Sequence, residues 1–282
     1  MNCYLCNSST FLKRKGSVRD LEDLKILECK NCGLITLSSK SQIHKGFYEN
    51  SNMHGNEIIS IDAWIKDSYC DDNRRFNNLK HQLINKKLLD FGCGAGGFLN
   101  KTKQITSLSE GVEPELRVQK YWGDSINIYT QLELSGNEYD LITAFHVFEH
   151  LIDPIATLKA LANKLAKKGL IIIEVPNSED MLLTLYDSKA FQNFTYWSKH
   201  LFYFNAESLQ RLAKKAGFKV ICIQQYQRYP LSNHLYWLSQ GKPGGHQKWN
   251  FIDSPELDKA YANSLGNIGK CDTIIAWLEL DD

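Results

Sequence analysis

Between residues 88 and 99 an apolar run gives way to glycine: Leu88-Leu89-Asp90-Phe91-Gly92-Cys93-Gly94-Ala95-Gly96-Gly97-Phe98-Leu99. The pattern predicts a short strand over 87–91, a tight turn, and a helix over 97–103. Glycine serves such a turn for two physical reasons. Some positions take φ > 0, which only glycine tolerates cheaply. Others must let a ligand reach the backbone with no Cβ in the way. The free N–H groups at the start of the helix then face that ligand. In open α/β sheets this carboxyl edge of the first strand is where ligands bind. Gly92, Gly94 and Gly97 also satisfy G-x-G-x-x-G. The glycines alone therefore leave open a dinucleotide site, or a turn with no ligand.

A β/α rhythm continues from the loop. Strands are expected over 108–112, 126–129, 139–145, 170–175, 219–227 and 273–280. Helices are expected over 114–122, with Pro114 in the first turn, over 154–166, closed by Lys167-Lys168-Gly169, and over 206–216, stopped by Gly217. The unbroken apolar character of 170–175 suits a parallel sheet covered on both faces. The alternation predicts a doubly wound, seven-stranded, mostly parallel α/β sheet of Rossmann-like form. Upstream, Trp64, Ile65, Phe76, Leu79 and Leu83 give a helical pattern over 61–84. The polar stretch 38–56 reads as a linker with Phe47 and Tyr48 as anchors. Residues 229–270, interrupted by Gly and Pro and without strong periodicity, are long for a hairpin loop and form a candidate substrate lid.

The first forty residues differ in kind. Cys3-x-x-Cys6 and Cys29-x-x-Cys32 are separated by 22 residues. Each pair can form a knuckle, and two knuckles offer four thiolates to a tetrahedral structural zinc ion. Gly33 suits the turn that follows the second pair. Such a closed site would stabilise a segment too small to fold alone. The expected organisation is a zinc-binding module over 1–40, a linker and helix over 41–85, and a ligand-binding domain over 86–282. Cys70, Cys93, Cys222 and Cys271 lack ligand spacing.

Charge is nearly balanced, with 33 basic and 32 acidic residues in 282. No broad field therefore advertises nucleic acid or a membrane surface. No apolar run is long enough to span a bilayer. Residues 1–6 lack a basic stretch followed by an apolar one, so no secretory signal is expected, and the default location is the reducing cytoplasm.

The residues around the loop narrow its ligand. Asp90-Phe91-Gly92-Cys93-Gly94-Ala95-Gly96 resembles the first motif of class I S-adenosylmethionine (SAM)-dependent methyltransferases, D-x-G-C-G-x-G. A dinucleotide fold would not ask for Asp90. Gly111-Val112-Glu113-Pro114, His146-Val147-Phe148-Glu149-His150-Leu151 and Gly169 to Asn177 resemble further family segments in the right order, over roughly 86–280. The resemblance implies that SAM is the methyl donor. It implies that the loop at Gly92, Cys93, Gly94 and Gly96 cradles its methionine and ribose portions, that Asp90 reaches the ammonium, and that Glu113 holds both ribose hydroxyls, a role that suits a bidentate acceptor. It implies that Gln131 or Leu132 borders the adenine, and that Phe145 and His146 line the methionine pocket.

Transfer to an alcohol needs alignment and a base near the attacking oxygen. His146, His150 and His200 compete for that role, with His234 and His246 behind them. The stretch Tyr196-Trp197-Ser198-Lys199-His200-Leu201-Phe202-Tyr203-Phe204 resembles a loop of the bacterial deoxysugar C-methyltransferases. There an acid–histidine pair precedes the aromatic run, whereas here Lys199 stands in the acid's place. Those enzymes also carry an N-terminal four-cysteine module. The resemblance implies a small-molecule acceptor, a nucleotide-linked or otherwise activated sugar of bacterial surface-glycan or related biosynthesis. Lys199 favours O-methylation over C-methylation. Two rivals are a ribosomal-RNA methyltransferase, which predicts a basic stripe beyond Lys13-Arg14-Lys15, and a zinc-ribbon adaptor that binds no SAM. Of the aromatics Phe194, Tyr196, Trp197, Phe202, Tyr203 and Phe204, most are expected to be core.

Overall fold

The computed structural model describes residues 1–44, 46–51, 53 and 58–281. Parts of the expected linker, and Asp282, lie outside the described residues. The chain opens with three short strands, β1 (Phe11–Lys13), β2 (Ile26–Cys29) and β3 (Ile35–Leu37). They form an antiparallel sheet whose fourth member is β9 (Phe202–Tyr203), so its order is β1-β2-β3-β9. The aromatic run around His200 thus completes the N-terminal sheet, and Ile35 pairs with Tyr203.

Helix α1 (Ile61–Leu83) starts at Ser60, whose side chain accepts from the Ala63 N–H, and carries Asp62 in its first turn. The main sheet follows. It consists of β4 (Lys87–Phe91), β5 (Leu108–Val112), β6 (Asn127–Tyr129), β7 (Tyr139–Phe145), β8 (Leu165–Pro176), β10 (Phe218–Tyr226) and β11 (Thr273–Leu280). Its order is β10-β11-β8-β7-β4-β5-β6, antiparallel only at β11. This is the expected seven-stranded, mostly parallel, Rossmann-like sheet.

Strand periodicity explains its two covered faces. Leu88, Leu141, Phe145 and Ile172 pack with Ile61, Leu79 and Leu83 of α1, with Phe98 and Leu99 of α2 (Gly97–Thr102), and with Val118 of α3 (Leu116–Trp122). Their neighbours Leu89, Ile142, Ala144, Ile171 and Ile173 face the other way. They meet Leu158 and Leu161 of α4 (Pro154–Ala162) and Leu209 and Leu212 of α6 (Ala206–Lys215).

Three expectations change. The helix expected over 154–166 ends at Ala162, and β8 takes over at Leu165, because the Tyr139 N–H captures the Lys164 carbonyl at 3.0 Å. Lys167-Lys168-Gly169 is an irregularity inside β8, where the register slips and Lys168 takes φ 66°. The helix expected from Pro114 starts at Leu116. Its N-cap Glu115 is extended, and the Glu113 N–H is bound to the Tyr129 carbonyl at 2.8 Å. The segment 229–270 is helical, with α7 (Leu231–Gln240), α8 (Gly245–Lys248) and α9 (Pro255–Asn267). A further helix, α5 (Lys189–Thr195), precedes the aromatic run. Among the described residues no helix is long and apolar enough to cross a membrane.

Candidate functional site

A cavity of about 380 Å³ opens at the carboxyl ends of β4, β5 and β7. Its first wall is the glycine loop. The Gly92 and Cys93 N–H groups donate to the Val112 carbonyl, at 2.8 and 3.1 Å, and so tie the loop to β5. Gly96 sits at φ 77°, where a Cβ would lie 2.5 Å from Trp122 Nε1, so both backbone and space demand glycine there. Glu113 accepts from the Gly94 and Glu115 N–H groups at 3.0 and 3.2 Å. Asp90 accepts from the Thr143 hydroxyl at 2.7 Å. Burial pushes both carboxyls up to about 7, against these hydrogen bonds. Cys93 and Phe145 line the same cavity, whereas Gln131 is exposed and stands outside it.

The second wall is one the sequence reading missed. Trp64, Ser68, Asp71, Asp72 and Arg75 of α1 line the cavity. Glu174, wholly buried at the end of β8, accepts from both terminal nitrogens of Arg74, each at 2.8 Å, and from Arg75 at 2.7 Å. Against the desolvation that would raise it, these cations and His146 hold its carboxyl well below the usual range. Arg228, just after β10, pairs with Asp71 and brings Nη1 within 3.5 Å of His146 Nε2. The available signal was the charge cluster Asp71-Asp72-Asn73-Arg74-Arg75 in the middle of a long amphipathic helix.

The histidines divide by position. His146 adopts φ 56°, with Nδ1 3.1 Å from Glu149 and Nε2 3.3 Å from Glu174. Although burial opposes it, these carboxylates raise its pKa, and both its nitrogens are already engaged by protein groups. His150 also lines the cavity. Its Nδ1 lies 2.8 Å from the Lys199 carbonyl and must donate there, which leaves the lone pair on Nε2. Burial lowers its pKa and keeps it neutral. His200 stands behind His150, with ring centroids 4.6 Å apart, and is not on the cavity wall. Burial pushes it down to about 3. The Lys199 ammonium donates to the Met53 carbonyl at 2.9 Å and lies over the Trp197 ring.

A second cavity of about 240 Å³ lies under α7 and α8. Asp180, Asn233, Asp272 and His246 share its lining with Phe191, Phe194, Tyr229 and Trp237. Arg228 lines it too and, through its contact with His146, stands between the two neighbouring cavities. Of the aromatic run, Phe194 and Tyr203 line this cavity, while Tyr196, Phe202 and Phe204 are buried in the core. His234 is bound through Nδ1 to the Tyr261 hydroxyl at 2.7 Å.

At the N-terminus the Cys3, Cys6, Cys29 and Cys32 sulfurs all lie within 4.8 Å of one another. The pairs Cys3–Cys32 and Cys6–Cys29 are 3.5 and 3.4 Å apart, too far for disulfides. They approach the edge of about 3.8 Å that a tetrahedron of Zn–S bonds of about 2.3 Å requires. Asn7 and Gly33, one residue after each pair, both take left-handed φ, 63° and 69°, as matched knuckle turns. The four residues fit a closed metal site.

Comparisons with known proteins agree with this fold. A family model described as a methyltransferase domain matches residues 63–223. The chain is 25% identical over 177 residues to a ubiquinone biosynthesis O-methyltransferase of Aeromonas salmonicida, covering 54% of this chain and 71% of that protein. It is 29% identical over 157 residues to a tRNA U34 carboxymethyltransferase of Wolinella succinogenes, covering 49% of this chain and 53% of that protein. Its fold matches that of a SAM-dependent methyltransferase of Thermotoga maritima with a TM-score of 0.53 and 17% identity, over 84% of this chain and 98% of that one.

Proposed function

Because the chain belongs to the methyltransferase-domain family and is a SAM-dependent methyltransferase, we propose that it methylates a hydroxyl group of a nucleotide-linked or otherwise activated sugar. The observation that supports the hydroxyl is His150 on the wall of the cofactor cavity, with Nδ1 given to the Lys199 carbonyl and its lone pair left on Nε2. The ubiquinone relative, by its name, is also an O-methyltransferase. The sugar rests on the second cavity, where aromatic faces alternate with Asp180, Asn233 and Asp272. Such a lining suits a ring with an apolar face and hydroxyls at its edge.

SAM bound in the first cavity supplies a methyl group activated on a sulfonium. Asp90 would hold its ammonium, and Glu113 its ribose hydroxyls through both carboxylate oxygens. The Gly92, Gly94 and Gly96 backbone would pass close beneath it, and Cys93, Phe145 and His146 would line the methionine end. Phe98 and Phe145 pack edge to face and help exclude water. His150 Nε2 takes the proton of the acceptor hydroxyl as the oxygen attacks. The helices α7 and α8 close over the second cavity as a lid. Cys3, Cys6, Cys29 and Cys32 would hold a structural zinc ion, which would fix β1–β3 against the methyltransferase sheet.

Incubation with SAM and a panel of nucleotide sugars, with product mass and NMR, tests this. A methyl ether on a sugar is expected. Transfer to no sugar contradicts the acceptor, and a methyl group on carbon contradicts the hydroxyl.

A further inference from the structure

At His150, on the cavity wall, three metal-binding side chains converge. Glu149, His150 and His200 each offer one ligand atom, and these atoms lie within 4.8 Å of one another. Glu149 and His150 share one short turn after β7, and the Leu201 N–H donates to the Glu149 carbonyl at 2.7 Å, which holds His200 beside them. From the linker, the Tyr48 hydroxyl donates to the His150 carbonyl at 3.0 Å.

The hydrogen-bond pattern within this group is incomplete. Glu149 is 1% exposed, yet among the described residues its Oε2 has no partner, and His200 Nδ1 is likewise buried with none there. The third member contributes the His150 Nε2 lone pair, because Nδ1–H is given to the Lys199 carbonyl. A histidine that donates its second nitrogen to a backbone carbonyl has the arrangement that orients a metal ligand. Facing acceptors of this kind leave each other unsatisfied unless a cation or a proton donor stands between them.

We infer that Glu149, His150 and His200 form a second metal site, for a divalent first-row transition ion, at the acceptor end of the cofactor cavity. Two imidazoles and a carboxylate suit zinc, manganese, iron or cobalt better than calcium. Three protein ligands leave coordination positions free, as in catalytic rather than structural sites. The inference deepens the proposed function and rests on His150 facing the acceptor. In the metal-free protein the His150 lone pair takes the proton; with the cation bound it holds the cation, which then activates the hydroxyl in its place. The cation binds the acceptor hydroxyl and lowers its pKa, and its proton leaves to solvent. The O–CH3 bond then forms as the CH3–S bond breaks, with its electron pair left on sulfur.

Cobalt(II) is the probe, because thiolate and imidazole–carboxylate sites absorb differently. Metal-stripped full-length protein titrated with cobalt chloride should bind two ions per chain. One should show thiolate-to-cobalt charge transfer, and the other only d–d bands. Glu149→Gln and His200→Ala should each lose the second ion and keep the first, whose charge-transfer band reports that the fold is intact. They should lower the transfer rate at least tenfold while SAM affinity, read by calorimetry, stays unchanged. A wild-type chain whose only bound cobalt shows the thiolate charge-transfer band overturns the site, whatever the variants do. Two ions retained in both variants overturn the ligand assignment, and an unchanged rate after loss of the second ion overturns the activating role. Failure of SAM to bind protein that holds two ions would sink the methyl-donor reading and leave the metal site standing.

Discussion

The two walls of the cavity proposed to hold SAM, one for the donor and one for the acceptor, are built in opposite ways. The donor wall is local. Asp90, the glycine loop and Glu113 lie within 24 consecutive residues on two adjacent parallel strands, and much of the wall is backbone. The acceptor wall is assembled from afar. Asp71 and Arg75 come from α1 and His146 and His150 from the end of β7, and behind them they are braced by Glu174 of β8 and Arg228 from beyond β10. Its parts are joined by ion pairs rather than by chain continuity. A wall made of backbone at strand ends tolerates little change, whereas one made of side chains can be refitted to a new acceptor while the sheet is kept.

Substitutions at the two walls should therefore fail differently. The largest effect is expected at the hub of the acceptor wall. Glu174→Ala leaves Arg74, Arg75 and His146 without their shared buried counter-charge and should cost about 3–5 kcal/mol in urea unfolding. A loss near that of an ordinary surface change would break the contrast, because the wall would not then depend on its ion pairs.

Next in size is Asp90→Asn, which should weaken SAM binding by about 10–100-fold, the equivalent of one charge-assisted hydrogen bond. The same residue sets a pH dependence. Burial raises the folded-state Asp90 and Glu113 carboxyls to about 7. The stability they contribute when protonated is full below about pH 4 and is lost as pH rises through about 7. Ligand-free protein should thus melt lower as pH rises across that window, while SAM, which needs the ionised forms, should bind more tightly. Asp90→Asn should flatten the melting trend. An equal slope in wild type and variant would mean that these carboxyls do not control it.

Gly96→Ala tests the backbone character of the donor wall. At φ 77° and with Trp122 in the way, it should cost about 1–2 kcal/mol in thermal or urea unfolding. The smallest effect is expected at Gln131→Ala, within about 0.5 kcal/mol in SAM affinity by calorimetry, because Gln131 is exposed and off the cavity wall.

The same contrast decides what could be read from the sequence. The donor wall was legible because the strand, turn and helix signals of residues 87–113 are adjacent and each has a local cause. β5, β7 and β11 appear at the expected bounds for that reason. The acceptor wall was legible only as a set of candidate residues. Nothing local tells that Arg74 and Arg75 turn toward Glu174, or that His200 stands behind His150, since those contacts span about 50 to 100 residues. Gln131 was carried by resemblance alone. In the segment 229–270 a start signal was present, since Ser254-Pro255 caps α9. Its weak apolar periodicity hid the helix that followed. β8 began early because a tertiary hydrogen bond from Tyr139 outweighed the helical preference of residues 163–166.

The most direct test of the donor site is calorimetric titration of SAM into wild-type protein and Asp90→Asn at neutral pH. One equivalent should bind the wild type, with weaker binding in the variant. No binding to the wild type, or equal affinity in both, would contradict the assignment of the cavity at Asp90, Gly94 and Glu113 to the methyl donor.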